Sequence, residues 1–170
     1  MKANFDFSGR TVLVTGGTSG IGAATAVAFQ RAGARVIACG LTEQEVTAAR
    51  AQAGFAHIDV RALDVTDRHA VDALVASLGS LDVVVNSAGL IRRDAEHDPD
   101  VFAHVIDVNL NGGMRVSAAA RPLLAKSRGS IVFIGSVMSF FGGPKQPAYS
   151  ASKGAVRNLT MSLAAAYAAD

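Results

Sequence analysis

Five short β-branched runs alternate with stretches of helical spacing along the 170 residues of this chain. The runs are apolar on both faces, as in the three valines 83–85, which is typical of strands buried in a parallel sheet. One intervening stretch has Val71, Leu74, Val75 and Leu78 at the spacing of an amphipathic helix that stops at Gly79. The alternation predicts an α/β fold, a doubly wound parallel sheet with helices on both faces. The predicted strands are residues 11–15, 35–39, 57–63, 81–86 and 130–134.

The first strand-to-helix turn is a candidate anion site, because ligands of doubly wound sheets bind at the carboxyl ends of the strands. It reads Thr-Gly-Gly-Thr-Ser-Gly-Ile-Gly over residues 15–22. Gly16 allows the tight turn, Gly20 allows a pyrophosphate to approach the backbone, and Gly22 lets the helix pack on the strand. The spacing G-x-x-x-G-x-G differs from the dinucleotide fingerprint G-x-G-x-x-G. A glycine-rich turn alone is also compatible with no ligand at all.

A tyrosine and a lysine form the second candidate group. Tyr149 and Lys153 are four residues apart at the start of a predicted helix and so share one face. A phenol titrates near pH 10 in water, and an adjacent ammonium stabilises the phenolate, so the pair can act as an acid/base. Ser136 follows the fifth predicted strand and is placed to bind a substrate oxygen. These residue types are common, and taken by themselves they favour a core tyrosine and a surface lysine.

Together these motifs resemble the short-chain dehydrogenase/reductase family from about Gly9 to the end of the chain. Short segments, residues 90–93 and 136–143, resemble the branch that acts on sugar acids and polyols such as gluconate and deoxygluconate. The resemblance implies a Rossmann-type fold and a catalytic tetrad of Asn109, Ser136, Tyr149 and Lys153. In that tetrad Tyr149 moves the proton, Lys153 holds the nicotinamide ribose, Ser136 orients the substrate, and Asn109 positions a water that links Lys153 to solvent.

The same resemblance implies the cofactor contacts. The stretch at residues 86–89 looks like the family's Asn-Asn-Ala-Gly, with Ser87 in place of the second Asn. Asp64 and Val65 are expected to line the adenine pocket, although Asp64 is as compatible with a turn residue. The expected contacts are Gly16, Thr18, Ser19, Gly20, Ile21, Leu41, Asp64, Val65, Asn86, Ala88 and Gly89, together with Tyr149 and Lys153.

The choice between NAD and NADP is predicted from the end of the second strand. The family usually places there an acid for NAD, or an arginine one residue later for NADP, whereas this chain has Gly40 and Leu41. Glu43 and Glu45 come soon after, and Thr42 with Glu45 has the pattern of a capping box, so both acids are interpreted as helix-capping residues. Because no cation is near to bind a 2′-phosphate, NAD is expected to be preferred modestly over NADP.

Composition excludes several other classes. The net charge is +2 without a charge run, only 6% of residues are aromatic and Trp is absent, which argues against nucleic-acid binding. The four histidines show no metal-ligand spacing, so no metal is expected. Cys39 is the single cysteine, residues 1–7 do not form a signal peptide, and no stretch is apolar enough to span a membrane, so a cytoplasmic protein is predicted.

The predicted function is hydride transfer between a nicotinamide cofactor and a small-molecule secondary alcohol or ketone. A dinucleotide-binding module or fragment without turnover is the alternative, and a scaffold or nucleic-acid-binding protein on the same fold is a third. Residues 1–170 are expected to be one dinucleotide-binding catalytic domain that stops at Asp170, where the family continues into further strands and a substrate lid. Helices at about residues 99–125 and 149–169 are expected to pair copies into a homodimer or homotetramer, since Val156, Leu159, Leu163 and Ala166 form an apolar stripe.

Several side chains near the predicted site have two readings. Arg92 and Arg93 follow the fourth strand, where an arginine can bind a substrate carboxylate or simply be solvated. Met138, Phe140 and Phe141 are expected either to line the substrate pocket or to pack in the core.

Overall fold

A computed structural model describes residues 5–170, which form a five-stranded sheet with helices on both faces. The prediction that residues 1–7 are not a signal peptide falls partly on residues 1–4, which lie outside the described residues. The strands are β1 (Thr11–Thr15), β2 (Arg35–Gly40), β3 (Asp59–Ala62), β4 (Val83–Asn86) and β5 (Ser130–Phe133). The helices are α1 (Gly20–Arg31), α2 (Glu43–Arg50), α3 (Arg68–Ala76), α4 (Pro99–Ile106), α5 (Gly113–Ser127) and α6 (Pro147–Ala166).

The strand order is β3-β2-β1-β4-β5, and every neighbouring pair is parallel. The predicted α/β fold with a doubly wound parallel sheet is therefore confirmed. The order reverses at β1, which pairs with β2 on one side and with β4 on the other. At such a reversal the connections leave in opposite directions, so a crevice opens beyond the carboxyl ends of β1 and β4.

The core consists of two apolar layers separated by the sheet. Because side chains alternate along a strand, Leu13 of β1 packs into the layer that contains residues of α3 and α5. Its neighbours Val12 and Val14 pack into the other layer, with residues of α1 and α2. All three side chains are fully buried, which explains why the strand reads as a continuous apolar run.

Three strands are shorter than predicted. The predicted strand at 57–63 is β3 (Asp59–Ala62), the one at 81–86 is β4 (Val83–Asn86), and the one at 130–134 is β5 (Ser130–Phe133). The residues beyond these ends still bond to the sheet, since the amide of Leu63 donates to the Gly40 carbonyl and that of Asp82 to the Thr11 carbonyl. The apolar pattern therefore predicted the strands at the right places in the sequence. Its predicted strand ends lie one or two residues beyond those in the structure.

The long helix predicted at 99–125 contains a wide turn. Between α4 and α5 the backbone follows a π-helix over Asp107–Gly112. Such turns are rare and occur frequently at functional sites. This one contains Asn109, one of the four predicted catalytic residues.

Candidate active site

A cleft of about 570 Å³ lies beyond the carboxyl ends of the strands, a size suited to a small organic ligand. Its walls come from the β1–α1 turn, the ends of β2 and β3, the loop after β4, and the start of α6. The cleft brings together most of the predicted cofactor contacts, which are separate in the sequence. These are Gly16, Thr18, Ser19, Gly20, Ile21, Leu41, Asp64, Val65, Ala88, Gly89, Tyr149 and Lys153.

The glycine-rich turn packs directly on the loop after β4. Gly16 has a positive φ of 61°, and a Cβ at this position would lie 2.7 Å from the Cα of Ala88 and 2.8 Å from the carbonyl oxygen of Ser87. A side chain would therefore separate the two loops. The amide of Gly17 donates to the carbonyl of Cys39 at 2.7 Å, which ties the turn to the end of β2 as well.

The packing of the start of α1 on the turn also requires a glycine. A Cβ on Gly22 would overlap the carbonyl oxygen of Gly16, so the helix can approach the turn only because residue 22 is glycine. Gly20 has a φ of 53°, and a Cβ there would meet nothing within 4 Å. Gly20 therefore faces open space on the cleft wall, beside the first backbone amides of α1. This geometry fits a pyrophosphate at the helix N-terminus.

The far end of the cleft, beyond β2, carries negative charge. Glu45 and Asp64 line it, and Leu41 covers part of it with a side chain that is 57% exposed. The cations on the cleft wall, Lys153 and Arg92, come from α6 and from the loop after β4. The end beyond β2 is therefore an unfavourable place for an additional phosphate.

Glu45 has a different role from the predicted one. The hydroxyl of Thr42 accepts from the Glu45 amide at 3.2 Å, as a capping box requires. The Glu45 carboxylate, however, accepts from the amide of Leu41 at 2.7 Å instead of from that of Thr42. It therefore lies over the end of β2, and a Cβ on Gly40 would come within 3.0 Å of it. The absence of a side chain at Gly40 leaves room for this acid on the cleft wall.

Asp64 lines the cleft and also stabilises a turn. Its Oδ1 atom accepts from the amide of Thr66 at 2.8 Å and from the Thr66 hydroxyl at 2.7 Å. Asp64 is therefore a turn residue that also lines the cleft, and its predicted contact with the adenine stays a prediction.

Tyr149 and Lys153 lie together at the opposite end of the cleft, in the first two turns of α6. The Lys153 Nζ atom lies 5.6 Å from the centre of the Tyr149 ring and donates to the carbonyl oxygen of Ile134 at 2.7 Å. Lys153 is only 7% exposed, and burial lowers the pKa of its ammonium. No carboxylate lies within 4.0 Å of this ammonium among residues 5–170.

Asn109 lies behind the cleft wall and joins its two sides. Its side chain accepts from the amide of Leu90 at 2.8 Å and donates to the Leu90 carbonyl at 2.9 Å. The second amide hydrogen is donated to the hydroxyl of Ser152 at 3.1 Å. Because both hydrogens are used, the side chain serves to attach the loop after β4 to α6. The predicted role of Asn109 in holding a water that links Lys153 to solvent stays a prediction.

Besides Asn109, two predicted site residues do not line the cleft. Asn86 is buried, and its amide nitrogen donates to the hydroxyl of Ser117 at 3.1 Å inside the protein. Its Oδ1 atom is buried without a hydrogen-bond partner among the described residues. Ser136 caps the short helix Val137–Ser139, with its hydroxyl accepting from the amide of Met138 at 3.1 Å. These are bonds within the protein, and the predicted contacts of Asn86 with the cofactor and of Ser136 with the substrate stay predictions.

Sequence reasoning missed Glu96. This residue is fully buried, and its carboxylate accepts from the amides of Arg92 and Tyr149, each at 2.8 Å. It connects the loop after β4 to the first turn of α6. The pattern around it resembles an exposed acidic loop, so no signal in the sequence distinguished it.

The loop after β4 also brings the guanidinium of Arg92 to the cleft. Arg92 lines the cleft near Tyr149, and His104 of α4 lines it as well. Phe140 and Phe141 are 69% and 70% exposed and, like Met138, do not line it. The prediction that these three apolar side chains line the pocket or pack in the core is wrong for the two phenylalanines, because the turn after β5 points them to solvent.

Other chemistries find little support among the described residues. No group of three or more His, Cys, Asp or Glu side chains within residues 5–170 is arranged to hold a metal ion. Burial raises the pKa of the Cys39 thiol to about 12, so it is protonated and unreactive at neutral pH. Over the same residues, no helix has the length and apolar character needed to cross a bilayer.

Comparison with known proteins decides the family. The model of the short chain dehydrogenase family matches residues 10–170. The chain belongs to the short-chain dehydrogenase family. The cleft described above is thus the site that, in this short-chain dehydrogenase, combines the glycine-rich turn with the Tyr149–Lys153 pair.

Several relatives of this short-chain dehydrogenase have been named. A 3beta-hydroxysteroid dehydrogenase of Mediterraneibacter gnavus is 39% identical over 172 residues, covering 95% of this chain and 62% of the relative. A 2-dehydro-3-deoxy-D-gluconate 5-dehydrogenase of Pseudoalteromonas atlantica is 36% identical, with 96% and 68% covered. A crystal structure from Sinorhizobium meliloti 1021, proposed to be a short-chain alcohol dehydrogenase, superimposes with a TM-score of 0.87 at 34% identity, covering 98% of this chain and 70% of that one. The chain thus spans about two thirds of the length of these relatives.

Proposed function

We propose that this chain is a nicotinamide-nucleotide-dependent oxidoreductase that interconverts a secondary alcohol and a ketone, with residues 1–170 as its dinucleotide-binding catalytic domain. The observation that carries the proposal is a single cleft with a glycine-lined helix N-terminus on one wall and Tyr149 beside Lys153 on another. Gly20 supports a pyrophosphate at this wall, because it faces open space at the start of α1, whereas Gly16 and Gly22 allow the turn to pack on the rest of the protein. When bound, the nicotinamide ring supplies the hydride acceptor or donor.

In this proposal the protein's own groups handle the proton. Tyr149 accepts the hydroxyl proton as the alcohol becomes a carbonyl, and it returns a proton in the reverse direction. Lys153 stabilises the phenolate by its charge and offers its remaining ammonium hydrogens to ribose hydroxyls. Its bond to Ile134 holds the ammonium in place for both tasks. Asn109 and Ser152 support this end of α6 from behind.

The cofactor is proposed to be NAD in preference to NADP. Glu45 and Asp64 place two carboxylates at the end of the cleft beyond β2, where Leu41 offers no charge. A 2′-phosphate there would face like charges and lose hydration without a cation to replace it. A ribose hydroxyl, in contrast, can donate to a carboxylate.

The substrate is proposed to be a small secondary alcohol or ketone that bears a carboxylate, such as a sugar acid. Arg92 lies on the cleft wall that Tyr149 also lines, where a guanidinium can bind a carboxylate through two hydrogen bonds. A named relative acts on 2-dehydro-3-deoxy-D-gluconate, which has such a group. Assembly into a homodimer or homotetramer and a cytoplasmic location stay predictions.

Tyr149→Phe tests the proposed function. The substitution removes one oxygen, so the fold and nucleotide binding should be retained, with Kd within about threefold, while turnover falls roughly a hundredfold to ten-thousandfold. Binding is measured by calorimetry and turnover by the absorbance of the reduced nicotinamide, over a panel of sugar acids and secondary alcohols. Tyr167→Phe is the matched control, because Tyr167 lies beyond the end of α6 and away from the cleft.

The possible results separate the alternatives. Turnover within threefold of the parent in Tyr149→Phe would reject Tyr149 as the acid/base. Nucleotide binding by the parent without turnover on any member of the panel would favour the binding module instead. Absence of nucleotide binding would reject both.

A further inference from the structure

The structure assigns a positioning role to Glu96: its buried carboxylate holds Tyr149 and the loop that carries Arg92 in a set relation to each other. The inference rests on the proposed function, since it concerns where Tyr149 meets its substrate. Oε1 accepts from the Arg92 amide and Oε2 from the Tyr149 amide, each at 2.8 Å. One carboxylate thus contacts both the residue proposed to move the proton and the residue proposed to bind the substrate carboxylate.

Burying the Glu96 carboxylate costs free energy that a residue serving only to fill space would not require. It is 0% exposed, and among residues 5–170 no lysine, arginine or histidine nitrogen lies within 4.0 Å of it. An apolar residue of similar size would avoid the desolvation of a charge. The two amide hydrogen bonds offset part of this cost, and they are what an apolar residue could not provide.

Glu96 also caps the helix that carries the acid/base. The N-cap residue of α6, Gln146, makes no side-chain cap hydrogen bond. The Tyr149 amide in the first turn would be left without an intrahelical partner, and Glu96 accepts it from 53 residues away in the sequence. A carboxylate at this position is also favoured by the positive end of the helix dipole. The direction in which α6 starts, and with it the Tyr149 side chain, is therefore set from the loop after β4.

Neighbouring contacts join the same two segments without reaching Tyr149. The amide of Asp94 donates to the carbonyl of Lys145 at 2.8 Å, and the side chains of this pair lie 3.4 Å apart and are largely exposed. His97 bonds to the carbonyl of Pro144 at 2.9 Å. These contacts would still hold the segments together if Glu96 were changed, so a variant should lose orientation before it loses the fold.

The test uses Glu96→Gln, which keeps the size of the side chain but replaces one acceptor oxygen by a donor group. One of the two amides then faces an amide nitrogen. We expect kcat to fall roughly tenfold to a hundredfold, because a displacement of about 1 Å at a reacting group has an effect of this order. The Kd of the nucleotide should stay within about twofold, since Glu96 does not line the cleft.

A second measurement does not depend on turnover. The chain has two tyrosines, so labelling of the tyrosine rings yields two NMR signals, which Tyr167→Phe assigns. In Glu96→Gln the Tyr149 signal should shift or broaden, whereas that of Tyr167 should not. Lys145→Ala is the matched control, because it removes an exposed contact between the same segments and should change neither signal nor kcat.

The outcomes are distinguishable from those of the proposed function. A folded Glu96→Gln with an unchanged Tyr149 signal and kcat within twofold of the parent would overturn the positioning role. So would a parallel loss of kcat and nucleotide affinity, which indicates general destabilisation. If Glu96→Gln does not fold, Glu96→Asp replaces it, as its shorter carboxylate can reach only one of the amides, and the same criteria apply. Full turnover in Tyr149→Phe would instead reject the acid/base assignment itself.

Discussion

The Nζ atom of Lys153 lies 5.6 Å from the centre of the Tyr149 ring and is held there by the carbonyl of Ile134. The four-residue spacing along α6 puts the two side chains on one face, and burial keeps the ammonium at 7% exposure. An ammonium in this environment stabilises an adjacent phenolate more strongly than one in water. The same burial penalises the free protein, because no carboxylate pairs with this ammonium among residues 5–170.

Lys153→Met should therefore stabilise the chain while it weakens nucleotide binding. Replacement of a buried, unpaired ammonium by an apolar side chain of similar length should raise the free energy of unfolding by about 1 kcal/mol at neutral pH. Nucleotide affinity should fall roughly tenfold, which corresponds to about 1.4 kcal/mol. Denaturant unfolding and calorimetry measure the two effects. Lys145→Met is the control, since Lys145 is exposed and should change stability by less than about 0.5 kcal/mol.

The sign of the pH dependence follows from the lowered pKa of Lys153. Below that pKa the ammonium is charged in the folded and unfolded states, and the full cost of burial is present. As the pH rises from there towards the ordinary value of 10.5, the folded protein releases its proton first and the cost is relieved. The contribution of Lys153 therefore makes the fold more stable with increasing pH. The stabilisation by Lys153→Met should accordingly be largest at neutral pH and shrink towards pH 10.5, and a constant difference would contradict it.

Gly22→Ala should disrupt the cofactor turn. The added methyl group would overlap the carbonyl of Gly16, so the start of α1 must move away from the turn. Nucleotide binding should become too weak to measure, and stability should fall. Gly154→Ala is a matched change in another helix, where a Cβ meets nothing within 4 Å. It should stabilise the chain by about 0.5 to 1 kcal/mol, and equal effects of the two substitutions on thermal unfolding would refute this reading of Gly22.

Association through α4 and α6 is a further expectation. The stripe predicted on α6 is only partly available, since Val156 is buried inside the chain, but the exposed Met161 lies on the same helix. Phe102 is exposed on α4, which packs against α6. Light scattering at micromolar concentration should show a dimer or tetramer, and Phe102→Lys or Met161→Lys should shift it towards monomer. Phe5→Lys is the control, because Phe5 is exposed but lies outside these helices, and it should not change the oligomeric state. A monomeric parent would reject the expectation.

The sheet and the glycine turn were predictable because local rules determine them. Buried parallel strands need continuous apolar runs, and the crowding at Gly16 and Gly22 permits no side chain. Helix spacing predicted that Tyr149 and Lys153 share one face, whereas the roles expected of them came from the family resemblance. The π-helix at Asp107–Gly112 was not predictable, because its residues have no pattern that distinguishes it from an α-helix.

Glu45 and Glu96 are two acids whose contacts could not be predicted from the sequence. Glu45 has the spacing of a capping residue, and the same spacing serves a carboxylate that bonds to Leu41 on the cleft wall. Glu96 meets Tyr149 across 53 residues, a contact that only the packing of the loop after β4 against α6 creates. In both cases the residue type is known from the sequence, whereas the direction of the side chain depends on tertiary structure.

The preference for NAD should depend on Glu45. The parent is expected to bind NAD about tenfold more tightly than NADP, which corresponds to about 1.4 kcal/mol. Glu45→Gln keeps an oxygen for the Leu41 amide and removes the charge, so it should reduce this ratio to near one. Glu43→Gln, in the same helical turn but off the cleft wall, should leave the ratio unchanged. Calorimetric titration with both nucleotides measures it.

Leu41→Arg should reverse the preference, because it adds the cation that this end of the cleft lacks. Leu41 is 57% exposed and lies beside Glu45 and Gly40, so a longer side chain can be accommodated without disturbing the core. Its guanidinium can bind a 2′-phosphate through paired hydrogen bonds, but in the parent background Glu45 competes for it. The double variant with Glu45→Gln should therefore favour NADP more strongly than Leu41→Arg alone. A parent that binds NADP tenfold more tightly than NAD would contradict the assignment of Glu45, and equal ratios in the single and double variants would show that the carboxylate does not face the phosphate.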